Sequence, residues 1–215
     1  MRKIVLATLF ALMMTFHSFC GAQATVESAL FGGKEKIVYP IVHTGNSAVD
    51  KKINRVLDGI TQNFLMETNT DRREHGINIT RENTNFKVMC NDAADSNILS
   101  IIISQSKYGS NGPAHPTNYV HMFNFDLTTG ERLTTNDLEK FGYGDKNSLY
   151  QELIAKLQER ADNDKKKGRL TVDVNAVKTL KDNFYFDEDF HLHFLFEQNS
   201  IAHYAVGPID IDMDE

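Results

Sequence analysis

The sequence predicts an α+β fold: a single domain in which an antiparallel β-sheet packs against two amphipathic helices. Three observations predict it. Apolar residues recur at helical spacing in two stretches only. Most of the remaining apolar residues alternate with polar ones, as in half-buried strands. No repeat, low-complexity tract or Pro-rich linker divides the chain.

The first segment reads as an export signal. Arg2 and Lys3 form a basic start, Ile4 to Phe19 is largely apolar, and Ala22-Gln23-Ala24 has the small-x-small form of a cleavage site. The apolar run is shorter than the roughly 20 residues of a membrane-spanning helix. Residues 1–24 are therefore expected to be removed, leaving residues 25–215 as a periplasmic or secreted domain with no stable membrane span. Cys20 leaves with the leader. Cys90 then has no partner in its own chain, and as the third of Phe86, Val88 and Cys90 on one strand face it reads as a small buried hydrophobe.

A first strand is expected over residues 36–43, around Ile37, Tyr39 and Ile41, with Pro40 suiting an edge or bulge. Val49, Ile53, Val56, Leu57, Ile60 and Phe64 predict a helix from about Ser47 to Glu67. The polar stretch from Asn69 to Glu82 reads as an exposed excursion. Strands follow over Thr84 to Cys90, Ile98 to Tyr108 and Asn118 to Leu127. The last two are joined by a Gly/Pro-rich loop too long for a two-residue hairpin turn. Thr134 to Asp137 looks like the capped start of a short helical turn. Leu149, Leu153, Ile154, Leu157 and Ala161 predict the second helix, ending near Lys165-Lys166-Lys167 with Gly168 suited to the C-cap.

Phe184 to Asp187 and Phe190 to Glu197 form a predicted hairpin turning at Asp187-Glu188-Asp189. Phe190, Leu192, Phe194 and Phe196 lie on its inner face, and His191, His193 and Glu197 on the outer. The inner face is expected to pack on Ile53, Leu57, Ile60 and Phe64. A last strand follows Gly207-Pro208, with Ile209, Ile211 and Met213 inward and Asp210, Asp212 and Asp214 outward.

Composition excludes several functions. The chain has 215 residues, 41% hydrophobic and 24% charged, with 23 Lys+Arg against 29 Asp+Glu and two Cys. Two Cys rule out a disulfide-stapled scaffold or a Cys-rich zinc module. A formal charge of −6, becoming −8 once Arg2 and Lys3 leave with the signal, argues against a nucleic-acid partner. No Gly-x-Ser-x-Gly elbow, phosphate-cradling loop or His-Glu-x-x-His pair is present. His191 and His193 point the same way from a strand, and Glu197 or His203 could join them in a metal set, but the bare pair reads as an ordinary outer face. The alternating carboxylates of Asp210 to Glu215 splay apart and lack the Gly-centred loop that calcium needs. No metal or cofactor is expected.

The ordering of segments resembles a known family. Tyr39-Pro40-Ile41 precedes a helix with Lys51-Lys52-Ile53-Asn54, and Tyr108 precedes the Ala114-His115-Pro116 loop. Asn124-Phe125-Asp126-Leu127-Thr128-Thr129-Gly130 and Leu133-Thr134 to Asp137-Leu138 follow. The close is a Phe-rich hairpin and Ile201-Ala202-His203-Tyr204-Ala205-Val206-Gly207-Pro208-Ile209. These segments, from about Ile37 to Met213, are similar to the bacterial domain of unknown function in the extracellular half of the anti-sigma factor RsiV and in the N-terminal part of the peptidoglycan deacetylase PdaC. The chain departs from that family in following Gly112 with Pro113.

The resemblance implies an exported, non-catalytic binding module, with a basic lysozyme-like protein or cell-wall peptidoglycan as partner. Sigma-factor binding is not expected, because only Met1, Arg2 and Lys3 precede the apolar run. Ligand-binding residues are expected in and beside the Gly/Pro-rich loop: Tyr108, Asn111, His115 and Tyr119. The alternative is an envelope hydrolase acting on glycan or peptide through His115, or through His191 and His193.

Overall fold

The strong alternation of β-branched and polar residues in the middle of the chain builds a three-stranded antiparallel sheet around which the other elements are arranged. In the computed structural model, which describes residues 23–92 and 95–215, this sheet comprises β3 (Ile79–Asp92), β4 (Ile98–Gly109) and β5 (Thr117–Asp126), in that order. The predicted signal segment lies, but for Gln23 and Ala24, outside the described residues.

Each face of β4 has its own cover. Leu99, Ile101 and Ile103 point to α1 (Ser47–Arg73), where Val49, Ile53 and Leu57 join them with Phe123 and Phe125 in one core. An N-cap bond from the Ala48 N–H to the Asn46 side chain starts α1. Ile98 and Ser100 point the other way, onto a second sheet of β6 (Phe184–Phe186), β7 (Leu192–Phe196) and β8 (Ile209–Asp212). That sheet is backed by α2 (Lys146–Lys166). At the C-terminus of α2 the Arg169 N–H reaches the Asp164 carbonyl and the Gly168 N–H reaches Lys165, with Gly168 at φ +65°: the Schellman cap expected of glycine there.

A buried polar chain sews the two sheets together. The Phe186 N–H donates to Ser100 Oγ at 3.1 Å, and that hydroxyl donates to Asn124 Oδ1 at 2.6 Å. Asn124 Nδ2 donates to the Phe184 carbonyl at 2.8 Å. Ser100 and Asn124 are essentially inaccessible to water, so every one of these groups needs its partner.

Several expectations are corrected. The expected single sheet is three, because β1 (Thr25–Leu30), which the sequence reading omitted, pairs with β2 (Val38–His43) in a separate two-stranded sheet, and the Phe-rich hairpin belongs to another. The stretch from Asn69 to Glu82 is not an excursion: α1 continues to Arg73 and β3 starts at Ile79. Its polar residues have partners brought by the fold. Asp71 pairs with Lys107 on β4, and Arg72 with Glu82 on β3. The Phe-rich face packs on Leu149, Leu153 and Leu157 of α2, not on α1, so the core is two clusters on either side of the central sheet. Phe190 is not in a strand. Its φ of +67° turns it out of β7, and its ring stacks on Phe186 at 4.6 Å.

Candidate functional site

The central sheet is covered unequally, and this creates a groove. On the side away from α1, the second sheet meets β4 at Ile98 and Ser100, and Ile102 is half-buried. Beyond it the same face carries Ser104, Ser106 and Tyr108, with Asn83 and Asn85 beside them on β3 and Asn118 on β5. Polar side chains at that end give little apolar surface to bury, and loop segments wall it.

Three adjoining hollows of about 600, 360 and 320 Å³ run along this open face. Asn83, Asn85 and Ser106 line both of the first two, Asn118 and Gln198 both of the last two, and Pro116 joins the first to the third. Two loops wall them, the β4–β5 loop and the segment between β7 and β8. They meet where the His115 ring stacks on Tyr204 at 4.5 Å, and Gln198 holds that second loop by donating to the Tyr204 carbonyl while accepting from Asn118. Gly109 opens the first loop because a Cβ there would collide with the Ile77 methyl. Among the described residues, the side chains of Asn83, Ser104, Ser106 and the Tyr108 hydroxyl make no hydrogen bond within the protein.

The expected ligand-binding residues divide. Tyr108 and His115 line the groove. Asn111 is a clasp: its Oδ1 accepts from the Asn78 N–H and its Nδ2 donates to the Gly76 carbonyl, tying the loop to the α1–β3 connection. The Tyr119 side chain points to the other face of the sheet, where its hydroxyl donates to Glu67 and its ring lies under Lys107. Sequence reasoning missed Asn83, Asn85, Ser104 and Ser106. Their signal was a period-two polar pattern on two strands, visible as Asn-x-Asn and Ser-x-Ser, but silent about which face lacks a cover.

The alternative catalytic histidines are placed differently. His193 lies over Tyr185 with its two ring nitrogens 3.3 Å from Asp210 and 3.4 Å from Asp187, while Tyr185 donates to Asp210. His191 Nδ1 is 3.8 Å from Asp187. The outward carboxylates of β8 and the residues after it are thus partnered within the fold, Asp214 included, which accepts from Tyr143 and from the Leu192 N–H. Among the described residues no group of three or more His, Cys, Asp or Glu is arranged to hold a metal ion. Cys90 is buried, and burial, with Asp92 nearby, pushes its thiol up to about 11.

Under α1, Lys107 is 7% exposed and meets both Glu67 and Asp71. Burial pulls on its ammonium, but hydrogen bonds to Asp71 and Glu67 outweigh that and hold it charged. Burial would likewise raise Glu67, yet the bonds from Lys107 and Tyr119 lower it. His121 next to them is depressed by burial, against the pull of Glu197. Because the unfolded imidazole protonates first, at about pH 6.5, folding stability should fall as pH drops through that value. His121→Gln should remove this loss, leaving a second one below the unfolded carboxylate value of about 4.5, where Glu67 takes up its proton in the unfolded chain first. Chemical denaturation at a series of pH values reads both; an unaltered profile in His121→Gln would assign the first loss elsewhere.

The fold and site define a class: an α+β domain with two helices, antiparallel sheets and a polar, loop-walled groove on an open sheet face. Solved structures similar to it are known. One is a DUF3298-family protein from Bacteroides fragilis, 16% identical, aligned over 88% of this chain and 87% of the other with a TM-score of 0.53. Another, a DUF3298-family protein from Pseudomonas aeruginosa, is 13% identical over 89% and 88% of the two chains, with a TM-score of 0.49. No protein-family model and no curated protein matches the sequence. The likeness to the Bacteroides fragilis protein is one of fold.

Proposed function

We propose that this chain is an exported, non-catalytic binding module of the cell envelope that holds its ligand in the groove on the open face of β3–β5. The observation that carries this reading is the set of idle polar groups on a rigid floor, Asn83, Ser104, Ser106 and Tyr108, walled by two loops. A sheet and two tied-down loops reduce the ordering cost of binding. Export rests on the basic start, short apolar run and Ala22-Gln23-Ala24 at the N-terminus. Against catalysis, His115 has a stacking partner in Tyr204 but, among the described residues, no carboxylate to orient its ring as a general base, and His193 is engaged on both nitrogens. The resemblance to the RsiV and PdaC domains fits a partner of the envelope, either peptidoglycan or a lysozyme-like protein.

The test is binding to isolated cell-wall sacculi and to lysozyme, comparing wild type with Ser106→Arg, which places a long side chain across the groove floor. Binding of one of these should weaken by at least about tenfold while thermal stability is retained. Undiminished binding in the variant would move the recognition surface away from the groove.

A further inference from the structure

We propose that the groove takes an anionic, hydroxyl- and acetamido-bearing glycan strand, with an acidic group in the hollow lined by Lys36 and Arg81. This inference rests on the groove being the recognition surface and names its ligand. The charged residues lining the three hollows are Lys36, Arg81 and Glu197. Glu197 is engaged, its Oε1 accepting from the Val120 N–H at 2.9 Å. Lys36 and Arg81 have no ion-pair partner among the described residues. A chain of formal charge −6 therefore presents unpaired positive charge in the largest of the three hollows, beside Tyr108.

The rest of the lining is neutral and suited to sugars. An asparagine amide offers two donors and an acceptor, and a serine hydroxyl both, which matches vicinal sugar hydroxyls and acetamido groups. A sugar ring has an apolar C–H face that rests on a flat ring, and the groove offers Tyr108 in one hollow and the His115–Tyr204 stack in another. The three hollows each fall in the range of about 300–1,000 Å³ usual for ligand sites, and each shares lining residues with the other two, so that linked sugars can occupy neighbouring hollows.

Two other occupants fit less well. A basic protein would bring its positive surface to two unpaired cations. An extended peptide adding to the edge of β5 would find that edge plugged, since Glu197 caps the Val120 N–H and Arg132 donates to the Met122 carbonyl.

Titration calorimetry with three probes tests the proposal: a tetrasaccharide alternating N-acetylglucosamine and glucuronic acid, the neutral tetramer of N-acetylglucosamine, and lysozyme. The acidic tetrasaccharide should bind at least about tenfold more tightly than the neutral one at low salt, with the gap closing at high salt. Arg81→Gln should close it as well. Asn83→Asp, nearly isosteric and at an exposed site, should weaken the acidic sugar more than the neutral one. Equal affinities, or a gap untouched by Arg81→Gln, would overturn the proposal. Lysozyme binding that Ser106→Arg abolishes, without saccharide binding, would overturn the glycan and keep the groove. Saccharide binding indifferent to Ser106→Arg would overturn the groove itself, and failure of all three probes to bind would count against both.

Discussion

Replacing Phe194 by Ala should destabilise the protein by about 3–5 kcal/mol, the usual result of truncating a fully buried aromatic. Phe194 has no accessible surface, pairs with Phe184 across β6–β7 and with Ile211 across β7–β8, and lies in the cluster under α2. Phe190→Ala provides the contrast. Its ring is only partly buried at the margin of the same cluster, so its loss should cost clearly less. Reversible urea denaturation of the two variants checks the order; a Phe194→Ala cost below about 1 kcal/mol would mean that this cluster is not the core.

Asn124→Leu should cost about 3 kcal/mol although it adds apolar volume to an interior site. The leucine leaves the Phe184 carbonyl without its donor and the Ser100 hydroxyl without its acceptor, and a buried group stripped of its partner costs roughly 1–3 kcal/mol. The double variant Ser100→Ala with Asn124→Leu should differ from the sum of the two single changes, because the residues belong to one hydrogen-bonded chain. Simple additivity in that cycle would show that the two sheets are held together by apolar contact alone.

The groove is the part of this molecule that was hardest to see in advance. Tyr108 and His115, which line its hollows, stand in and beside a Gly/Pro-rich loop that announces itself through residues that restrict the backbone. Asn111 and Tyr119 came with them by proximity in sequence, but proximity does not say what a side chain touches. Asn111 is used by the backbone of the α1–β3 connection, and Tyr119, an odd number of residues along β5 from the groove-facing Asn118, faces the helix.

By itself the sequence determined the class of fold, the two helices, the three long strands, the short final strand and the cap at Gly168. Each of these follows from spacing or backbone chemistry within a dozen or so residues, which tertiary contacts reinforce but do not need to supply. Only the tertiary structure decided which helix lies under which sheet. Both helices present an apolar stripe and both sheets an apolar face, so periodicity alone allows the Phe-rich hairpin to sit on either; the chain seats it on α2. The same holds for the polar end of α1, which continues to Arg73 because Lys107 and Glu82, 36 and 10 residues beyond Asp71 and Arg72, supply partners for their charges. It holds also for the groove, which exists because the second sheet meets β4 at Ile98 and Ser100 and leaves Ser104, Ser106 and Tyr108 to line the hollows. Covering a surface is a relation between segments distant in sequence, and no local pattern encodes it.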